Sequence, residues 1–227
     1  RAKVFTKIIR ELTVAARDGG GVLEDNPGLR TVVDKAKASQ MPKDTMERAI
    51  ARGAGGLEGS ELVSLTYEGY GPGGVAFLVE TMTDNRNRTV AEVRHAFTKA
   101  GGNLGTDGSV AYLFDRKGLL NFAPGLDEEL VMELAIDAGA DDVDIAEDGS
   151  VEVVTTPEDF LSIKDALMGA DFEPVNAEIA MLPQNYSELD ADMAEKVIRL
   201  MDNLEDLDDV QNVYTNASFP DRDNEED

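Results

Sequence analysis

Apolar positions along the first 56 residues recur at helical spacing. Phe5, Ile8, Ile9, Leu12, Ala15 and Ala16 form one stripe, stopped by Gly19-Gly20-Gly21. Asn26-Pro27 predicts a second helix with Leu29, Val32, Val33 and Ala36 on its face. Asn caps it, and Pro at the first helical position gives up an N–H that has no intrahelical partner. Pro42 opens a third helix through Met46, Ala49 and Ile50, closed by Gly53 and Gly55-Gly56. The period then shortens to that of strands. Leu62–Tyr67 and Val75–Thr83 read as strands joined by the hairpin-type connection Gly69-Tyr70-Gly71-Pro72-Gly73-Gly74. In the next helix Thr89 and Glu92 have capping-box spacing, Val90, Val93, Phe97 and Ala100 form the apolar face, and Gly101 sits just past the end. Val110–Phe114 reads as a third strand.

Further on, Leu119–Phe122 is a predicted strand and Asp127–Ala138 a helix stopped by Gly139. Val143–Ala146 and Val151–Thr155 make a hairpin around Asp148-Gly149. Thr156-Pro157 caps a helix carrying Phe160, Ile163 and Leu167, and Ala177–Leu182 is a strand. This is the βαββαβ order of a ferredoxin-like unit. One more helix, with Met193, Val197, Leu200, Met201 and Leu204 on a face, precedes the strand Val210–Thr215. That αβ pair has no partner nearby in sequence and is expected to complete the ββαβ layer of 62–114. The expected architecture is α+β: an N-terminal three-helix domain plus two ferredoxin-like α/β domains, one inserted in the other. The boundaries are 1–56 for the helical domain, 57–116 with 185–217 for the split α/β domain, 117–184 for the inserted acidic domain, and 218–227 for a disordered tail.

Composition narrows the function classes. No apolar run approaches the roughly 18 residues that a membrane span needs. The chain opens at Arg1 rather than Met, which weakens any test for a signal peptide. Without cysteine there is no disulfide, no thiolate metal site and no Cys nucleophile, and a reducing, cytoplasmic setting is expected. The single histidine, His95, leaves no His-pair metal motif.

The net charge of −25 argues against a polyanion partner, but it is unevenly placed. Residues 1–56 hold 11 Lys+Arg against 7 Asp+Glu, giving +4; residues 57–118 hold 6 against 8, giving −2; the remainder holds 4 against 31, giving −27. Salt screens exposed charges beyond about 8 Å, so a local basic face can still bind phosphate. The pattern reads as a basic working end and an acidic solubilising end.

Candidate chemistry follows. His95 lies within an amphipathic helix with no nucleophile elbow, so a catalytic role is not expected. The carboxylates of 119–227 lack a distinctive spacing, and neither Asp141-Asp142-Asp144 nor Asp206-Asp208-Asp209 follows the EF-hand pattern. The segment Tyr67–Gly74 is neither a P-loop nor a dinucleotide fingerprint. It reads either as a shaped hairpin or as a loop whose bare backbone at Gly71, Gly73 and Gly74 approaches a ligand, with Tyr67 and Tyr70 as stacking faces. Thr83–Thr89 leads into a helix start, where unpaired N–H groups together with Arg86, Arg88 and Arg94 suit phosphate; the alternative is an ordinary loop with solvated arginines. Lys3, Lys7, Arg10 and Arg17 fall near one side of the first helix, and Lys35, Lys37, Lys43, Arg48 and Arg52 add to the same unit. These read as phosphate contacts or as a solvated face.

Several of these segments together resemble the YebC/PmpR family. They include Phe5-Thr6-Lys7-Ile8-Ile9-Arg10-Glu11-Leu12, Met41-Pro42-Lys43-Asp44-Thr45, Arg48-Ala49-Ile50, Tyr67–Gly74 and Asp84-Asn85-Arg86-Asn87-Arg88-Thr89. Val93–Phe97, Gly101–Gly105 and Ser109–Phe114 add to it, so that the resemblance covers nearly the whole chain. It implies a helical domain and two α/β domains, one interrupting the other, and a Lys/His-rich segment ahead of Arg1. It also implies regulation: some members are transcriptional regulators that bind DNA, while others, mitochondrial relatives included, are translational activators on ribosomes that help proline-rich nascent chains.

The leading expectation is a non-enzymatic regulator that binds DNA. Lys3, Lys7, Arg10, Lys43, Arg48 and Arg52 would contact phosphate, and Arg86, Arg88 and Arg94 would form a second patch beside Gly69–Gly74. Ribosomal RNA, or the ribosome, is the alternative target. No cofactor, metal, membrane or small-molecule substrate is expected. The rivals are a protein-interaction module whose acidic domain docks a basic partner, and a hydrolase with a deep pocket and a perturbed carboxylate pair.

Overall fold

In the computed structural model, which describes residues 2–55 and 61–220, three helices come first: α1 (Ala2–Gly19), α2 (Pro27–Ala38) and α3 (Lys43–Ala54). Their stripes meet in a core of Ile8, Leu12, Ala16, Leu29, Val33, Ala36, Met41, Met46 and Ala49. Asn26 caps α2 as its sequence predicts, accepting from the Leu29 N–H at 3.0 Å. Its amide also donates to the carbonyls of Ala15 and Gly20, which ties the end of α1 to the start of α2. α1 and α3 cross at Gly53, where a Cβ would stand 2.1 Å from the Thr13 carbonyl oxygen.

The first sheet holds β1 (Val63–Tyr70), β2 (Ala76–Thr83), the short β3 (Asn103–Leu104) and β9 (Val210–Thr215) in the order β3-β1-β2-β9. Helices α4 (Arg86–Lys99) and α7 (Ala191–Glu205) cover one face through Phe77, Val79, Val93, Phe97, Val197, Leu200 and Leu204. The chain leaves this sheet after β3 and returns to it with β9, as the unpaired αβ segment implied.

Between them lies a second antiparallel sheet of β4 (Phe114–Phe122), β5 (Asp142–Ile145), β6 (Val151–Thr155) and β7 (Asn176–Pro183), in the order β5-β6-β4-β7. This is the ferredoxin-like arrangement, with α5 (Glu128–Asp137) and α6 (Phe160–Gly169) packed over Leu120, Phe122, Val131, Val151, Val153, Ile163 and Leu167. β8 (Ser187–Glu188) and β10 (Ala217–Ser218) form a two-stranded parallel pair beside the first sheet.

Four expectations need correction. Val110–Phe114 is not a strand: Ala111–Leu113 is a 3-10 turn, and Phe114 already belongs to β4, three residues ahead of the expected boundary at 117. The turn is held by Glu68, 6% exposed, which accepts from the backbone N–H groups of Gly108, Val110 and Ala111. α4 is capped by Asn85, which accepts from the Arg88 N–H, and Thr89 is buried one turn inside the helix. Ala217 and Ser218 are paired, so the tail does not begin at 218; the rest of the expected acidic tail from 221, with Gly56 of the expected link, lies outside the described residues.

Gly53→Ala is expected to destabilise the protein by about 1–3 kcal/mol, because the added methyl overpacks a helix crossing against backbone. A denaturant midpoint lowered at unchanged slope would show it.

Candidate nucleic-acid interface

The cations proposed for phosphate are built up from their helices. On α1, Lys3, Lys7 and Arg10 share a face through their spacing of four and three residues. That face lies against the C-terminal end of α7. Lys3 Nζ donates to the Asp206 carboxylate and to the Asp206 carbonyl, both at 2.7 Å. Lys7 Nζ donates to the Glu205 carbonyl. Arg10 donates to the carbonyls of Met82 and Asp208 and to the Asp209 carboxylate at 3.0 Å. Arg17 donates to Asp18 and to the Leu62 carbonyl.

Asp209 is the centre of this arrangement. It is 1% exposed, yet charged and fully engaged. Besides Arg10 it receives Arg88 Nε at 3.1 Å, a second Arg88 nitrogen at 2.8 Å and the Thr89 hydroxyl at 2.8 Å. Its own carbonyl accepts from the Met82 N–H. Burial alone would raise its pKa, but the hydrogen bonds from Arg88, Thr89 and Arg10 outweigh it and hold the carboxyl below its ordinary value. Arg88 is correspondingly stabilised as a cation, chiefly by Asp209 and then by Asp84. Glu68 follows the same rule: burial pushes its pKa up, the three backbone donors push it down, and the donors win.

The structure therefore divides the sequence-predicted set. Lys3, Lys7, Arg10 and Arg88 are held by carboxylates and carbonyls of the chain itself. Lys43 is exposed, with Glu47 at 3.7 Å one turn along. Arg48, Arg86 and Arg94 are exposed on α3 and α4, and no hydrogen bond or ion pair holds them among the described residues. Arg52 is exposed and engaged. Arg86 lies close enough to Tyr67 to oppose the rise that burial imposes on the phenol's pKa.

The glycine-rich connection is a hairpin in which Gly71 is buried and Gly73 and Gly74 are exposed. Tyr67 lies half-buried against the α4/α7 core, and Tyr70, also half-buried, donates its hydroxyl to the Ser109 carbonyl. Gly71 is buried under Phe77 and Leu200, where a Cβ would come within 2.5 Å of the Phe77 ring. Gly73, at φ 72°, sits under Met193 and Leu189 of the α7 segment. Gly74, at φ 75°, has open space around it.

Where α1, α2, the first sheet and β7 face one another, a cavity of about 440 Å³ opens. Its carboxylate Glu11 is held by Lys35 at 3.0 Å and by the Gln211 amide, and Glu80 by Arg116 at 3.4 Å. Asp141 is paired with Lys117 at 2.9 Å, and Asp206 and Asp209 belong to the α1 contact. Among the described residues no group of three or more His, Asp or Glu is placed to hold a metal ion, and no helix is long and apolar enough to cross a membrane. His95 is exposed on the outer face of α4.

With this geometry fixed, comparison with known proteins identifies the family. A profile described as "TACO1/YebC protein N-terminal domain" matches residues 1–56, and one described as "TACO1/YebC second and third domain" matches 62–217. The chain belongs to the TACO1/YebC family. Its similar relatives include "Transcriptional regulatory protein PmpR" of Pseudomonas aeruginosa, 61% identical over 221 residues, which cover 97% of this chain and 89% of the relative. A "Probable transcriptional regulatory protein" of Francisella philomiragia is 58% identical over 219 residues, or 96% and 88% of the two chains. The crystal structure of the conserved hypothetical protein Aq1575 from Aquifex aeolicus superposes with a TM-score of 0.88 at 46% identity, covering 98% of this chain and 92% of that one. The two sequence relatives of this TACO1/YebC chain named here carry the names of transcriptional regulatory proteins.

The Asp209 hub sets an acid limit for this TACO1/YebC chain. A carboxyl depressed in the folded state contributes stability that is present above its unfolded pKa, about 3.9, and is lost as pH falls through the lower folded value. Stability should therefore decline below about pH 4. Asp209→Ala should cost about 2–4 kcal/mol at neutral pH, less than a fully buried pair would because Arg88 stays partly in water. Chemical denaturation of both proteins between pH 3 and 7 checks this: the variant should show the smaller acid loss.

Proposed function

We propose that the chain is a nucleic-acid-binding regulator that reaches its target through α3 of the helical unit and the outer face of α4. The carrying observation is charge placement: on a chain of net charge −25, residues 1–56 retain a positive balance, and α3 presents Lys43, Arg48 and Arg52 to solvent. Arg86 and Arg94 on α4 form the second group. Cations of this kind contact phosphate, fix orientation and give salt-dependent affinity with little base information. The names of the relatives, transcriptional regulatory proteins, support DNA as the polymer.

A second reading, a translation factor on ribosomal RNA, draws support from one feature. The exposed cations are spread over two helices in separate units. Such an array follows the backbone of a folded RNA better than it follows one groove of a duplex. Crosslinking in cells followed by sequencing separates the two: discrete promoter peaks favour DNA, and enrichment of ribosomal RNA favours translation.

Lys43→Glu with Arg48→Glu, and separately Arg86→Glu with Arg94→Glu, should each weaken binding of a fluorescent duplex or hairpin by about tenfold or more at low salt. For every phosphate that goes unneutralised, the plot of log affinity against log salt should flatten by about one unit. Unchanged affinity and slope in both variants would remove the basis for the proposal.

A further inference from the structure

The helical unit is attached to the rest of the molecule in an unusual way. Its apolar core is its own, drawn from Phe5 to Ile50. The other hydrophobic clusters begin at Tyr67 or later, so among the described residues no cluster joins α1–α3 to either sheet. The hydrogen bonds and ion pairs that cross include the α1 cations on the end of α7, Arg17 on the Leu62 carbonyl, the Gln211 amide on the Lys7 carbonyl at 2.9 Å, and Lys164 on Asp34 at 3.0 Å, while the apolar Val14, Val32, Leu65 and Ile179 at this junction line the open cavity. Units joined through polar surfaces move relative to one another by default.

The surface that receives α1 has the chemistry of a phosphate backbone. The last carbonyls of a helix lack intrahelical donors and carry its negative dipole end. Here the Glu205, Asp206 and Asp208 carbonyls and the Asp206 and Asp209 carboxylates are gathered on Lys3, Lys7 and Arg10. Asp208 adds its field at Lys3 and Lys7 without bonding to either. The Lys3–Asp206 pair is open to solvent, with side chains 53% and 77% exposed, so salt and competing anions reach it directly. Nor does release of α1 strand a buried charge. Asp209 would lose Arg10 but keep both Arg88 nitrogens and the Thr89 hydroxyl.

We infer that the docked helical unit is a latched state. A phosphate polymer opens it by taking the place of Asp206, Asp208 and the end of α7 on Lys3, Lys7 and Arg10. The exposed cations of α3 and α4 make the first contact, and the α1 cations are added as the latch yields. This presupposes the nucleic-acid reading above and adds how access to part of the same site is controlled.

The chain has no cysteine, so dyes attach only where cysteines are introduced. Glu24→Cys on the helical unit and Asp192→Cys on α7, both exposed, give a transfer pair across the latch. The probes are a 30-base-pair DNA duplex and an RNA hairpin of similar length. Saturating the wild type with either should lower transfer efficiency. Asp206→Ala with Asp208→Ala should lower it before any probe is added and tighten binding about fivefold at low salt, whereas Glu195→Ala, which removes an exposed carboxylate from α7, should change affinity less than twofold. A thermal melt of the double variant checks that it remains folded. Binding that saturates with no change in transfer, or a double variant that binds no tighter than Glu195→Ala, would overturn the latch and leave the binding reading standing. Failure of wild type and double variant alike to bind either probe would overturn both.

Discussion

One buried carboxylate decides how this molecule is put together. Asp209 cannot sit almost wholly out of water unless cations and donors surround it, because an unpaired buried charge costs several kcal/mol. The fold supplies them from three places: Arg10 from α1, Arg88 and Thr89 from α4, and the backbone at Met82 holding Asp209 in register. The docked helical unit and α4 thereby meet at a single pair of carboxylate oxygens, and the end of β2 is tied to the Asp209 carbonyl beside them. The strand-to-helix junction at 83–89, which carries the features of a phosphate site in the sequence, uses its best arginine for this structural purpose instead.

The same interaction explains how a strongly acidic chain accommodates a basic end. Much of the acid between 119 and 220 faces solvent, but Asp209 is buried against Arg10 of α1, and Asp206, itself exposed, pairs with Lys3 there. The positive balance of residues 1–56 is therefore partly internal. What remains outside is carried by α3 and the outer face of α4, and the charge that meets a partner first is smaller and more localised than the residue count suggests.

Elements governed by local periodicity were legible in the sequence. The stripes of α1, α2, α3 and α7, the Asn26 cap, the Asp148-Gly149 hairpin and the βαββαβ order all follow from spacing within a dozen residues. The return of Val210–Thr215 to the first sheet could be inferred because an αβ pair with no local partner must find a distant one. Features set by tertiary partners could not be read. Val110–Phe114 has strand composition, but Glu68 draws its N–H groups into a turn from about forty residues away. Thr89 and Glu92 have the spacing of a capping box, yet Asn85 takes the cap and Asp209 takes the Thr89 hydroxyl. Above all, the partners of Lys3, Lys7 and Arg10 lie about two hundred residues along the chain. The only hint in the sequence was the acidic run Asp206-Asp208-Asp209 at a helix end, where it opposes the helix dipole and so calls for outside cations.

The glycine loop and the latch are two ends of one strut. Gly71 and Gly73 lack side chains where Leu200, Met193 and Leu189 must come close, so the loop serves as a bed for the α7 segment. The other end of α7 is the surface on which α1 docks. Both side-chain-free positions and both acidic positions thus act on the same helix, one set by shape and the other by charge. α7 is held in place by close packing, which tolerates little displacement, while its contact with α1 is polar and screened by water. A strut that is rigid at one end and electrostatic at the other confines any rearrangement to the α1 side.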